Sequence, residues 1–260
     1  MAKRWTKEEE KKNRQELTLL YVMQNKTIAE IALILNLSES SVFCRLKRLN
    51  ITSTPHKKTR YRNQRDDVVL PAHSAELAEF FGIMLGDGHV SHYQVVVTLG
   101  TKEFPYVLYV QDLMQRLFGV PAKISLKRRG HRDVYIGSTK ITKWLKAEGL
   151  VSNKVLAQVD APKWLLSKPA YARAFVRGFF DTDGSVYKLK FGRQISFTNH
   201  SAPLLLTLQG ILKKLGYCVS EISSYRCYIT KRADVERFFR EIAPANPKHS
   251  SRYEKFCVGM

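Results

Sequence analysis

The sequence predicts an α+β protein in which one αββαββα unit occurs twice, preceded by a small all-α module. Three observations point there. Two apolar helical stripes run into Asp-Gly, FFGIMLGDG at 80–88 and VRGFFDTDG at 176–184, with their acidic ends 96 positions apart. Strand-like and helix-like segments follow each stripe in the same order. The first 54 residues carry helix-start signals with almost no connection between them. The chain has 260 residues, 44% of them hydrophobic, which is ample for packed cores. Its 43 Lys and Arg against 23 Asp and Glu give a net charge of +20, a field that attracts a polyanion. Nucleic acid is therefore the leading partner class, with a ribosome-associated or merely basic protein as the plainer alternative.

The N-terminal module, 1–54, comes first. Thr27 and Glu30 form a capping-box pattern that opens TIAEIALILNL, and Ser38 starts a second helix, ESSVFCRLKRLN. Val42, Leu46 and Leu49 share one face of that helix, which leaves Ser40, Arg45, Lys47 and Arg48 to face outward. The pair resembles a helix-turn-helix module of bacterial regulators, whose second helix enters a major groove. A helical hairpin that only packs against something is the alternative. The next segment, 55–73, reads as a basic linker: HKKTRYRNQR carries Lys57, Lys58, Arg60, Arg62 and Arg65 without an acid, and could track a phosphate backbone or serve as a solvated spacer.

The first copy spans 74–160. A helix over 74–86 precedes the strand-like YQVVVTL, then helix EFPYVLYVQDLMQRLFG, strand-like AKISLKR and RDVYIG, and helix TKITKWLKAEG. The second copy, 161–260, runs through helix PAYARAFVRGFF, strand-like SVYKLKF and RQISFTN, helix APLLLTLQGILKKLG, strand-like CVSEISS and RCYIT, and helix ADVERFFREI. Period-two alternation sets Tyr187, Leu189 and Phe191 against Lys188, Lys190 and Arg193, so one sheet face is expected on helices and the other, basic, toward a ligand.

Leu77, Phe80, Phe81, Met84 and Leu85 recur at helical spacing, as do Ala172, Phe175, Val176 and Phe179, the stripes of helices buried on one side. Both helices set small residues four apart, Gly82 with Gly86 and Gly178 with Thr182, which would let two such helices pair with their backbones close. Asp87 and Asp183 would then sit side by side at two helix C-termini, where each macrodipole already places negative charge. Such crowding raises a carboxyl pKa or calls for a counter-charge, and among oxygen ligands that is a hard divalent cation such as Mg²⁺. The backbone carbonyls of Gly86 and Thr182 are further candidate ligands. Gly88 and Gly184 are expected at positive φ, ending each helix.

FFGIMLGDG and VRGFFDTDG resemble the two motifs of a single-chain LAGLIDADG homing endonuclease, a resemblance that extends over roughly 74–256. It implies metal binding by the last acid of each motif, Asp87 and Asp183, with Mg²⁺ or Mn²⁺ as cofactor. It also implies a saddle of two antiparallel sheets over a long double-stranded DNA site, and staggered cutting across the minor groove. Leu85 in the first motif stands where the second has Asp181, which gives Asp181 a structural or supporting role. The family places a Lys late in each repeat, and Lys154 and Lys248, 67 and 65 positions after the motif acids, are the catalytic candidates. Polar residues on or beside the strands, Thr98, Thr101 and Asn199, could contact water in the site. His200 and His249 read as DNA-contacting or structural, since magnesium favours oxygen.

DNA contacts are expected from Arg45, Lys47 and Arg48 in the helical module, from Lys57, Lys58, Arg60 and Arg62 in the linker, and from Lys123, Lys127, Arg128, Arg129, Lys188, Lys190, Arg193 and Arg226 on the strands. The expected function is a monomeric, metal-dependent, site-specific DNA endonuclease. Two rivals share the scaffold: a transcription regulator without cleavage, and a maturase that binds intron RNA. The charged N-terminus, the absence of a long apolar run and the four cysteines without zinc or disulfide spacing point to a cytoplasmic, nucleoid-associated or organellar protein with reduced thiols, neither membrane-bound nor secreted.

Overall fold

A computed structural model describes residues 5–24, 26–51, 65, 67–127 and 130–258, and the chain divides into two compact units, 1–61 and 62–260. Lys57, Lys58, Arg60, Arg62, Arg128 and Arg129 lie outside the described residues.

In the first unit, α1 (Lys7–Thr18) opens with a capping box between Thr6 and Glu9 and continues into a π-helical stretch, Leu19–Met23. The expected caps at Thr27 and Ser38 start α2 (Ile28–Ile34) and α3 (Glu39–Arg48). Leu17, Leu20, Ile31, Ala32, Val42, Leu46 and Leu49 form the core between the three helices. Ser40 and Lys47 are exposed as expected. Arg45 is not free: it is half-buried, donates to Asn13 Oδ1 at 3.0 Å, and lies over the Trp5 ring. Arg48 is exposed, yet its guanidinium also stacks 4.3 Å from the same ring centroid. A cation desolvated only on one face keeps most of its hydration, so an indole face is a low-cost resting place for both.

The second unit is α+β, with two antiparallel sheets and one continuous apolar core. Its first half runs α4 (Ala75–Gly86), β1 (Gly88–Val90), β2 (Gln94–Gly100), a 3₁₀ turn at Thr101–Glu103, α5 (Phe104–Phe118), β3 (Lys123–Lys127), β4 (His131–Gly137) and α6 (Thr139–Ala147). The strand order is β1-β2-β4-β3. The second half contains α7 (Pro169–Asp183), β5 (Gly184–Leu189), β6 (Gly192–Thr198), α8 (Ala202–Lys214), β7 (Arg226–Ile229), α9 (Arg232–Glu241) and α10 (Pro247–Val258), with strand order β5-β6-β7.

Three departures from the sequence reading have identifiable causes. Segment 218–222 is not a strand. It meets the sheet only where Ser220 N–H donates to the Tyr228 carbonyl and Ser220 Oγ accepts from Tyr228 N–H, beside a single bridge between Ser223 and Arg226. Helix α4 is buried on every side, not along one stripe, because all residues from Leu77 to Leu85, Glu79 included, are covered. Gly88 and Gly184 are not at positive φ; Gly184 is extended, at φ −91° and ψ 159°. They are glycines for want of space: a Cβ would lie 2.4 Å from Met84 Cα at Gly88 and 2.4 Å from the Phe180 carbonyl oxygen at Gly184.

The sheet faces also need correction in the second half. On β5 and β6, Val186, Ile195 and Phe197 face the core, and Arg193 shares their parity. Arg193 is therefore buried on the helix side, where its Nε donates to the Phe256 carbonyl at 3.2 Å and its guanidinium covers the Tyr253 ring. Tyr187 and Leu189 take the open face, with Ser185, Gln194, Ser196, Thr198, Arg226 and Tyr228. Lys188 shares the helix side of the strand but is exposed; Lys190 sits in the β5–β6 turn next to Phe191, which is 88% exposed. The open face of the first sheet does carry Lys123 and Lys127, with His89, Tyr135, Asp133 and His131.

Candidate active site

The site begins with how closely α4 and α7 approach. A Cβ added at Gly178 would lie 2.0 Å from the Glu79 carbonyl oxygen, and one at Gly82 would lie 2.3 Å from that of Phe175. Only glycine leaves room for such backbone contact. The neighbours progress in step along both chains, from Glu79 beside Gly178 to Gly86 beside Thr182 and Asp183, so the helices run parallel and end together. A Cβ at Gly86 would lie 3.4 Å from the Asp183 carboxyl carbon. The two motif acids thus leave the C-terminal ends of adjacent helices.

Their surroundings are crowded and polar. The Asp87 side chain reaches solvent but is surrounded by protein on most sides; burial raises its carboxyl pKa, while Lys248 and Lys154 pull it down. Burial, and next the charge of Asp87, push the Asp183 carboxyl up to about 6, against a hydrogen bond from Asn199 Nδ2 to its Oδ2 at 2.8 Å and the two lysines. Lys154 donates its ammonium to the Met84 carbonyl at 3.0 Å and to the Gly86 carbonyl, both at the end of α4. Burial lowers its pKa, with Asp183 the stronger of the two acids holding it up. Lys248 is held by Glu103, 3.2 Å from Oε2. Both lysines favour the charged form of both acids, Lys248 more strongly at Asp87 and Lys154 more strongly at Asp183.

The sequence-selected set, Asp87, Asp183, Lys154 and Lys248, is thus brought to one place, together with Asn199. The others disperse. Thr98 donates to Asp133 Oδ1 at 2.8 Å on the open sheet face, and Thr101 starts the 3₁₀ turn. His200 lies beside Tyr225, ring centroids 4.8 Å apart. His249 is fully buried against Phe180, and burial lowers its pKa to about 3, a structural residue. Asp181 is also fully buried; it accepts from the Ala245 and Asn246 N–H groups at 2.9 and 3.1 Å, and burial still raises its pKa to about 7.

Sequence reasoning missed three charged or polar residues. Glu103 and Asn246 reach the site from far along the chain, joined by a 2.7 Å hydrogen bond. Glu79 is buried between helices, where Tyr109 donates to it at 2.5 Å and Arg177 lies 3.4 Å away. Its position between Ala78 and Phe80, inside an apolar helix, was the available signal.

Among the described residues no group of three or more His, Cys, Asp or Glu forms a ready-made metal cluster. Two carboxylates without nitrogen or sulfur ligands fit a small hard cation that completes its shell from substrate phosphate and water. Among the described residues no helix is long and apolar enough to cross a membrane.

Comparison with known proteins gives partial matches. The chain is 27% identical over 179 residues to the replication factor C small subunit of Methanocaldococcus jannaschii, covering 65% of this chain but only 9% of that protein. Among solved structures it is similar to the homing endonuclease I-WcaI bound to its DNA recognition sequence, at 13% identity, 76% and 93% coverage and a TM-score of 0.49. It is also similar to I-DmoI in complex with DNA and Ca, at 18% identity, 65% and 88% coverage and a TM-score of 0.48. Residues 170–243, which run from α7 with Asp183 into the end of α9, match the family model of the LAGLIDADG-like domain.

Proposed function

We propose that the chain is a divalent-metal-dependent, site-specific endonuclease that cuts both strands of double-stranded DNA as a monomer. The observation that carries this reading is the convergence of Asp87 and Asp183 at the ends of two backbone-close parallel helices, with Lys154 and Lys248 both favouring their charged forms. Two acids crowded together, Asp87 reaching solvent and Asp183 partly covered, repel each other, and relief by a bound cation is favourable there. Asp87 and Asp183 would hold a divalent cation, which when bound would supply charge neutralisation at the scissile phosphate and a more acidic water.

The chain's own groups set the geometry. Asp183 is aimed by Asn199, so its free oxygen is directed rather than rotating. Lys154, anchored on the α4 carbonyls, and Lys248, anchored on Glu103, bring fixed positive charge to the pair. Charge developing on a phosphate there meets groups already in place. The sheet faces opposite the helices supply the DNA contact: Lys123 and Lys127 in the first half, Arg226 with Tyr187, Gln194 and Tyr228 in the second. The helix-turn-helix-like unit, with Lys47 exposed and Arg48 on its surface, adds affinity outside the cutting site.

A cleavage selection on a randomised duplex library in Mg²⁺ tests the reading. It predicts recovery of one long target cut with a stagger, and no product in a chelator. Binding without cutting under every divalent condition would favour the regulator, and preferential binding of structured RNA the maturase.

A further inference from the structure

Lys154 and Lys248 are held in different ways. Lys154 rests on main-chain carbonyls of α4 itself. Lys248 depends on side chains drawn from three separate elements, and the path between them is continuous. Asp181, in the last turn of α7, accepts from the backbone of Ala245 and Asn246. Asn246 is wholly buried and caps α10, its Oδ1 accepting from the Lys248 N–H at 3.2 Å. Its Nδ2 donates to the Asp181 carbonyl at 3.2 Å and to Glu103 Oε2 at 2.7 Å. Glu103, from the 3₁₀ turn after β2, accepts the Lys248 ammonium on both oxygens, at 3.3 and 3.2 Å. The bonds from Asn246 and Lys248 to Glu103 span 143 and 145 positions and join the two halves.

Resting on the endonuclease reading above, we infer that Glu103, aligned by Asn246 and Asp181, is a positioning residue for Lys248, and that through Lys248 it serves the cutting of one strand and not of the other. The asymmetry of the motifs follows from it. Asp181 is present in the second motif because it builds the seat of Lys248; the first motif has Leu85 in its place and needs no such seat, since Lys154 is anchored on carbonyls. The arrangement lets a carboxylate sit near Asp87 without holding the metal: its charge is taken up by Lys248 and by the Asn246 amide.

The test is strand-resolved single-turnover cutting of the selected duplex, labelled on each strand in turn, by wild type, Glu103→Gln and Glu103→Asp. Beside it, the acylation rate of Lys248 in the metal-free protein is read by mass spectrometry. Glu103→Gln is expected to slow one strand by about tenfold or more, with the other within about threefold, so that nicked duplex accumulates while DNA affinity and thermal midpoint hold. Glu103→Asp restores part of the lost rate, and Lys248 acylates several-fold faster in Glu103→Gln than in wild type. Equal slowing of both strands, or no slowing, from a wild type that cuts would overturn the inference alone. A wild type that cuts nothing overturns the endonuclease reading instead, and the acylation rate then decides the positioning chain: faster labelling supports it, unchanged labelling refutes it.

Discussion

Asp183 shows how a single side chain can be costly to the fold and useful to the site. Its carboxyl is raised to about 6 by burial and by Asp87, from an ordinary value near 4. Folding therefore takes up a proton in that window, so this carboxyl's contribution to metal-free stability is full below about pH 4 and is lost as pH rises through 6. Asp183→Asn removes a buried like charge, and should raise metal-free stability at pH 8 by on the order of 1 kcal/mol, after allowance for partial exposure, with little gain at pH 4. Chemical denaturation at the two pH values checks it; equal changes at both would count against crowding of the two acids. His249 acts in the opposite direction. Held neutral to about pH 3 by burial, it must gain a proton on unfolding below 6.5, so its contribution is complete above that value and declines as the solution is acidified. His249→Gln should flatten the acid limb of the stability profile between about pH 6 and 4. The motif acids were legible in the sequence because two copies repeat the same Asp-Gly ending. Glu103 and Asn246 were not, since their meaning lies in bonds across more than half the chain.

The pairing of α4 with α7 is the element on which the site depends. Gly178→Ala would place a methyl carbon 2.0 Å from the Glu79 carbonyl oxygen, so the helices must part. Alanine favours a helix over glycine by about 1 kcal/mol, and the clash should outweigh that, with a net loss of about 2–3 kcal/mol in urea denaturation and loss of cutting as the acids separate. A neutral or stabilising Gly178→Ala would mean that the helices are not in backbone contact. This element could be read from Gly82, Gly86, Gly178 and Thr182 at four-residue spacing. The β5–β6 hairpin was misread for a physical reason. Alternation reports which residues share a face, and does not say which face meets the helices; Tyr187 and Leu189 lie on the open face and Phe191 in the turn, and all three stay exposed. Arg193 went to the helix side because Tyr253 and the end of α10, a helix absent from the sequence reading, give its charge a ring and a carbonyl. The signals for α10 were present, an Asn cap followed by Pro at the first helical position.

At the scale of the whole molecule, a charge of +20 is unevenly spent on the open sheet faces. The first sheet presents Lys123 and Lys127, and Lys127 is already paired with Asp133 at 3.0 Å; the second presents Arg226 among tyrosines, serines and glutamine. Phosphate contact is therefore expected to weigh on the first half, and the second half to contribute more through its uncharged polar and aromatic groups. The logarithm of the affinity should fall linearly with the logarithm of salt concentration, and Lys123→Ala should reduce the slope by about one unit while Tyr228→Phe leaves it unchanged. Fluorescence anisotropy over a salt series distinguishes the two, and a flat response would argue against the sheets as the contact surface. The most direct trial of the central claim is cutting of the selected duplex in Mg²⁺ by Asp87→Asn and by Asp183→Asn, with DNA affinity measured alongside. The account predicts that neither variant makes double-strand breaks while both bind within about threefold of wild type; undiminished cutting by either one would contradict it.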